Sequence, residues 1–193
     1  SFVDINNDFV LDMIASNVNA KKNISPVPIS VFKGELKDGR YSLTQISTQM
    51  GQGTFSVRGM IPVDINLDGR IDFFQPNLYK SKGDKKQYSP DKIWINEGKD
   101  KFRSADYLLE NEYVFFNRNK LYPNAAPTNN GTICDVDQNG YPDILTSSSV
   151  GHPNKLWLNS KSSLEEGRVF KNIGKNSSYA HDIEGSADEI SGG

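Results

Sequence analysis

The stretch Asp64-Ile65-Asn66-Leu67-Asp68-Gly69-Arg70-Ile71-Asp72 occurs again as Asp135-Val136-Asp137-Gln138-Asn139-Gly140-Tyr141-Pro142-Asp143. An altered copy, Asp4-Ile5-Asn6-Asn7-Asp8-Phe9-Val10-Leu11-Asp12, opens the chain. Each copy has Asp at positions 1 and 9, and Asp or Asn at positions 3 and 5. An all-oxygen donor set at this spacing suits a hard cation, and calcium takes six to eight oxygens in a flexible shell. Positions 1, 3 and 5 come from alternate residues of a loop curled round the ion. Gly at position 6 permits the sharp turn, the carbonyl of position 7 adds a ligand, and Asp at position 9 closes the shell. The candidate ligands are therefore Asp64, Asn66, Asp68, Arg70 (carbonyl) and Asp72; Asp135, Asp137, Asn139, Tyr141 (carbonyl) and Asp143; and Asp4, Asn6, Asp8, Val10 (carbonyl) and Asp12. Two intact calcium sites are expected, with a third, weaker one at 4–12, where Phe9 replaces Gly. Three crowded carboxylates repel one another, and a cation relieves that repulsion. The competing reading is a loop closed by hydrogen bonds alone.

An EF-hand begins in the same way but needs Glu at position 12 and flanking helices. Position 12 is Ala15, Gln75 and Thr146 in the three copies. The residues that follow each loop, such as Ile71-Asp72-Phe73-Phe74 and Pro142-Asp143-Ile144-Leu145, are short apolar runs that read as strands. The nonapeptide thus joins two strands of a hairpin.

Asp4, Asp64 and Asp135 stand about 60 and 71 residues apart, a period long enough for one supersecondary unit per copy. Each copy accommodates four short strands, A to D. In the second these are expected at about 54–63, 71–75, 92–96 and 102–105. In the third they are expected at 131–136, 143–147, 155–159 and 169–173. The first keeps only Ser1-Phe2-Val3 of strand A, with B at 11–15, C at 29–32 and D at 41–46. Lys92-Ile93-Trp94-Ile95-Asn96 and Lys155-Leu156-Trp157-Leu158-Asn159 are counterparts. Alternation puts each Trp on the face opposite its aliphatic neighbours, so both are expected in the contact between units. This divides the chain into units at about 1–50, 54–106 and 131–175. An aromatic insertion at 107–128 and a tail at 176–193 remain.

Charge and composition narrow the function classes. With 22 basic and 24 acidic side chains and a net charge of −2, nothing favours nucleic acid. Lys21-Lys22 and Lys85-Lys86 read as solvated loop charge. No apolar run reaches the ~18 residues of a membrane span. Cys134 is the single cysteine and is expected packed on a buried strand. Sequons at Asn23, Asn130 and Asn176 agree with a secreted glycoprotein. His152 and His181 are the only histidines and share no zinc or base–nucleophile spacing, so no catalytic constellation is expected.

The two Gly-containing loops and the Lys-Ile-Trp-Ile-Asn and Lys-Leu-Trp-Leu-Asn strands resemble the FG-GAP/VCBS repeat, the calcium-loop repeat of integrin α-subunit heads. The altered first copy, followed by an intact one, is similar to the propeller of the T-cell immunomodulatory protein group. The resemblance covers nearly the whole chain. It implies an all-β fold of four-stranded propeller blades, usually seven to a ring, on an extracellular or cell-surface protein. About three blades fall within this stretch. Function is then expected to be calcium-stabilised adhesion to a protein or glycan ligand. Sugar binding through the Tyr107–Tyr122 aromatics is the alternative, and a polysaccharide-lyase-type enzyme is a more distant one. Further blades, or a partner chain, are expected to cover the outer faces.

Overall fold

The computed structural model describes residues 1–16, 29–46, 48, 50, 57–77, 79–82, 85–88, 90–110, 113–116, 120–123, 128–148, 154–164, 167–174, 177 and 179. For 79–82, 85–88, 113–116 and 120–123 the description is of the backbone.

The chain is all-β and forms three four-stranded antiparallel sheets, the blades of a partial propeller. Blade one contains β1 (Phe2–Val3), β2 (Asp12–Ala15), β3 (Ser30–Lys37) and β4 (Arg40–Ile46). Blade two begins with β5 (Ile61–Val63) and β6 (Asp72–Gln75). A separate hairpin of β7 (Tyr79–Lys82) and β8 (Lys85–Tyr88) follows, and β9 (Lys92–Gly98) and β10 (Lys101–Ser104) complete the blade. A short 3-10 turn at Asp106–Leu108 precedes the hairpin of β11 (Tyr113–Phe116) and β12 (Lys120–Pro123). Blade three contains β13 (Thr128–Cys134), β14 (Asp143–Ser148), β15 (Leu156–Lys161) and β16 (Arg168–Asn172). Within each blade the strands follow chain order across the sheet.

The repeat sets the register. Val3 pairs with Asp12, Val63 with Asp72 and Cys134 with Asp143. In each blade the residue before the loop thus faces the last residue of the nonapeptide, and the loop is the first hairpin connection. Side chains alternate across each strand, so every blade has two apolar faces. Phe73, Trp94 and Phe102 pack against Ile5, Ile14 and Val31 of blade one. Val63, Ile65, Phe74, Ile93 and Ile95 pack against Ile144, Trp157 and Phe170 of blade three. Trp94 and Trp157 are both buried between blades, as their alternation predicts.

A polar cluster crosses the second interface at the end of the strands away from the loops. Lys155 Nζ lies 2.6 Å from Asp91 Oδ2 and donates to Thr128 Oγ1 at 2.8 Å, and all three residues are buried. Asp91 Oδ1 accepts the Asn77 N–H, and Gln75 links Asn77 to the Trp94 indole N–H.

Several expectations need correction. Cys134 is exposed rather than packed. Its counterparts Val3 and Val63 pack with the blade that follows, whereas among the described residues no further blade follows blade three. Strand A of blade two spans only Ile61–Val63, and Val57 makes an isolated bridge to Asn77. Residues 54–56 lie outside the described set. Thr128 belongs to β13 rather than to an insertion. Within the 107–128 segment, Leu108 and Leu109 are buried between blades two and three, and Leu109 bridges Phe170. Lys85-Lys86 lies in β8, not in a loop. Lys21-Lys22, His152, His181, the Asn23 sequon and nearly all of the 176–193 tail fall outside the described residues.

Candidate functional site

Each loop starts from a carboxylate that organises the backbone. In loop 64–72 the Asp68 N–H donates to Asp64 Oδ1 at 3.0 Å and the Gly69 N–H to Asp64 Oδ2 at 2.9 Å. The Arg70 N–H donates to Asp68 Oδ1 at 2.9 Å. Loop 135–143 repeats this, with Asn139 and Gly140 N–H groups on Asp135 and the Tyr141 N–H on Asn139. Loop 4–12 follows suit, with Asp8 and Phe9 N–H groups on Asp4 and the Val10 N–H on Asp8. Short side-chain oxygens capture nearby backbone N–H groups, which is why Asp and Asn favour such turns. The turns also need left-handed residues. Position 4 is left-handed in every copy (Asn7 φ 60°, Leu67 φ 59°, Gln138 φ 57°). Position 6 is Gly69 at φ 83° and Gly140 at φ 85°, but Phe9 at φ 65°.

The carboxylate at position 9 differs from the rest. Asp72 is buried, and its oxygens accept the Ile65 N–H at 3.0 Å and the Asn96 N–H at 2.8 Å. Asp143 accepts from Val136 and Asn159, and Asp12 from Ile5 and Gly34, in the same way. Position 9 thus ties its loop to the third strand of its own blade. Burial pushes the Asp72 carboxyl up to about 7, the neighbouring Asp68 and Asp64 add to the rise, and the two backbone donors oppose it. Burial also raises Asp143.

The donor chemistry is hard oxygen throughout. One carboxylate oxygen from each of Asp135, Asp137 and Asp143 lies within 4.8 Å of the others, so this trio could hold a metal ion. Among the described residues, loops 64–72 and 4–12 form no such trio. Their three carboxylates stand at positions 1, 5 and 9 with Asn at position 3, whereas in loop 135–143 they stand at positions 1, 3 and 9 with Asn139 at position 5. The position 7 side chains are not idle. Arg70 Nε donates to the Asn96 carbonyl and its guanidinium pairs with Asp68, while Tyr141 lies under the Arg168 guanidinium at 3.4 Å. Beside loop 4–12, Phe2, Phe9, Val10, Leu11, Leu36 and Tyr41 line an apolar groove of about 410 Å³.

Sequence reasoning missed Asn96 and Asn159. Each donates its side-chain amide to the preceding blade, Asn96 Nδ2 to the Ile5 carbonyl at 3.0 Å and Asn159 Nδ2 to the Ile65 carbonyl at 3.1 Å. The shared Trp-x-Asn ending of the two strands was the available signal. Of the expected aromatic surface, Tyr107 is exposed and bonded to Arg103. Asn130 of the second sequon is exposed on β13.

Compared with known proteins, the chain is 26% identical over 188 residues to the T-cell immunomodulatory protein homolog of Plasmodium falciparum (isolate 3D7). The match takes in 89% of this chain and 24% of that protein, so the chain spans about a quarter of its relative's length. No family model matches the chain. No solved structure matches it. Among the described residues no helix is long and apolar enough to cross a membrane.

Proposed function

We propose that this chain is a calcium-stabilised β-propeller segment of the FG-GAP/VCBS type, working as a binding or adhesion module of an extracellular or cell-surface protein. The observation that carries this reading is one loop built three times, with the same carboxylate-centred turn and the same buried position 9 aspartate. Asp135, Asp137, Asn139, Asp143 and the Tyr141 carbonyl would hold one ion. Asp64, Asn66, Asp68, Asp72 and the Arg70 carbonyl would hold a second, and Asp4, Asn6, Asp8, Asp12 and the Val10 carbonyl a third. The ion supplies charge compensation, and the chain supplies the geometry. Loops of this kind suit an extracellular setting, where calcium modules work with dissociation constants of about 10⁻⁴–10⁻³ M. The similarity to the T-cell immunomodulatory protein homolog favours the same class of protein. Binding rather than turnover is the role this reading assigns.

A cation that binds only the folded state adds about 2.7 kcal/mol at a hundredfold excess over its Kd. Chelation of the metal-loaded protein should lower Tm by several degrees, calcium should restore it, and magnesium should do so poorly because it demands a tight octahedron. An unchanged melt, in protein first shown to carry metal, would sink the calcium reading.

A further inference from the structure

We propose that Asn96 and Asn159 are latches that make loops 4–12 and 64–72 two-blade structures, with the candidate ligands on one blade and the loop conformation held from the next. Asn159 touches three points. Its backbone N–H donates to Asp143 Oδ1 at 2.8 Å, fixing position 9 of its own loop. Its side-chain Nδ2 donates to the Pro142 carbonyl at 3.2 Å, position 8 of that loop. The same Nδ2 donates to the Ile65 carbonyl at 3.1 Å, position 2 of the preceding loop. Asn96 repeats this one blade earlier, with Asp72, the Ile71 carbonyl and the Ile5 carbonyl. Position 2 in turn donates its own N–H to position 9, as Ile65 does to Asp72 and Ile5 to Asp12. A continuous hydrogen-bonded path therefore runs Asp143, Asn159, Ile65, Asp72, Asn96, Ile5, Asp12.

Both latch residues are buried, and so are Ile5 and Ile65, so the carbonyls they reach in the preceding loop have little water to fall back on. In blade one Gly34 takes the latch place, and its N–H still serves Asp12. A Cβ at Gly34 would overlap the Leu11 carbonyl, and the Tyr41 hydroxyl donates to that carbonyl instead. Blade one thus keeps the contacts within its own loop and has no amide to pass to a preceding one. Each latch thus couples two adjoining loops, and the series of latches ends at blade one. The part of this inference that concerns cations rests on the calcium reading above; the latch itself does not.

Asn159→Asp keeps the size and the acceptor used by Arg168 Nε, but it turns the donor into an oxygen facing two carbonyls. Hydrogen–deuterium exchange of the complete protein in chelator should show loop 64–72 exchanging about fivefold faster or more, the factor of one lost hydrogen bond, with loop 4–12 unchanged. If that variant does not fold, Asn96→Ser tests the other pair, and loop 4–12 should respond. Exchange unchanged in the preceding loop, or raised equally in all three, would overturn the latch. Calcium titrated into the wild type and the variant should protect loop 64–72 at least about fivefold less effectively in the variant. Calcium that protects no wild-type loop would sink the calcium reading and leave the chelator result standing.

Discussion

Phe9 carries the clearest local strain. It occupies a left-handed position at φ 65° where the other two loops have Gly, and its side chain is 98% exposed. A Cβ built on Gly69 or Gly140 meets nothing within 4 Å, although each of those blades has a neighbour before it. Coverage by another blade therefore does not explain the side chain. Strain of this kind costs about 1–3 kcal/mol, so Phe9→Gly should stabilise the protein by about 1 kcal/mol, read as a rise in Tm. In a crystal soaked with a calcium analogue, site 4–12 should also show lower anomalous occupancy than the two Gly-containing sites. Asp72 makes a pH prediction. Its folded value of about 7 lies above its ordinary 3.8. A raised value means the group favours folding while protonated, and that contribution is lost as pH rises from about 4 to 7. In chelator, denaturant melts should show stability falling across this window. With calcium the fall should be smaller, because the ion favours the charged carboxylate.

At the scale of elements, the blades are joined by more than apolar contact. Lys155 on blade three and Asp91 ahead of β9 form a buried ion pair, with Thr128 as a third member. Burial pushes the Asp91 carboxyl up, and Lys155 opposes the shift. Removing one partner of such a pair strands the other, at about 3–5 kcal/mol. Lys155→Met should therefore destabilise by about that amount, while adding Asp91→Asn should recover part of the loss. A double-mutant cycle in urea checks this, and a coupling near zero would contradict it. The indole N–H groups divide in a related way. Trp94 donates to Gln75, whereas Trp157 Nε1 has no acceptor among the described residues.

At the scale of the molecule, position 2 of the repeat reports what stands beside each blade. Ile5 is 5% exposed and Ile65 0%, because the following blade covers them, but Val136 is 44% exposed. On the opposite end Phe2, Leu11, Leu36 and Tyr41 are exposed, and Met13 and Phe32 are only half-buried where Phe73 and Trp94 are fully covered in blade two. Apolar surfaces of this extent are uncommon on soluble monomers. Residues 1–193 expressed alone should self-associate at concentrations of about tens of micromolar in light scattering, with Val136→Lys reducing the association. A monodisperse monomer with a cooperative melt would contradict this.

The sequence by itself determined the repeat, the strand order and the loop turns, because each rests on local chemistry. Asp and Asn bind their own backbone within a few residues, Gly allows left-handed turns, and alternation assigns Trp94 and Trp157 to a face. Only the tertiary structure decided which faces are covered. Cys134 and Val63 occupy equivalent positions at the end of strand A, yet one is exposed and the other buried, because burial depends on a neighbour that no local pattern contains. The same holds for Asn159 and Lys155, whose partners lie 94 and 64 residues away. A hydrogen bond or ion pair of that span exists only after the blades have packed.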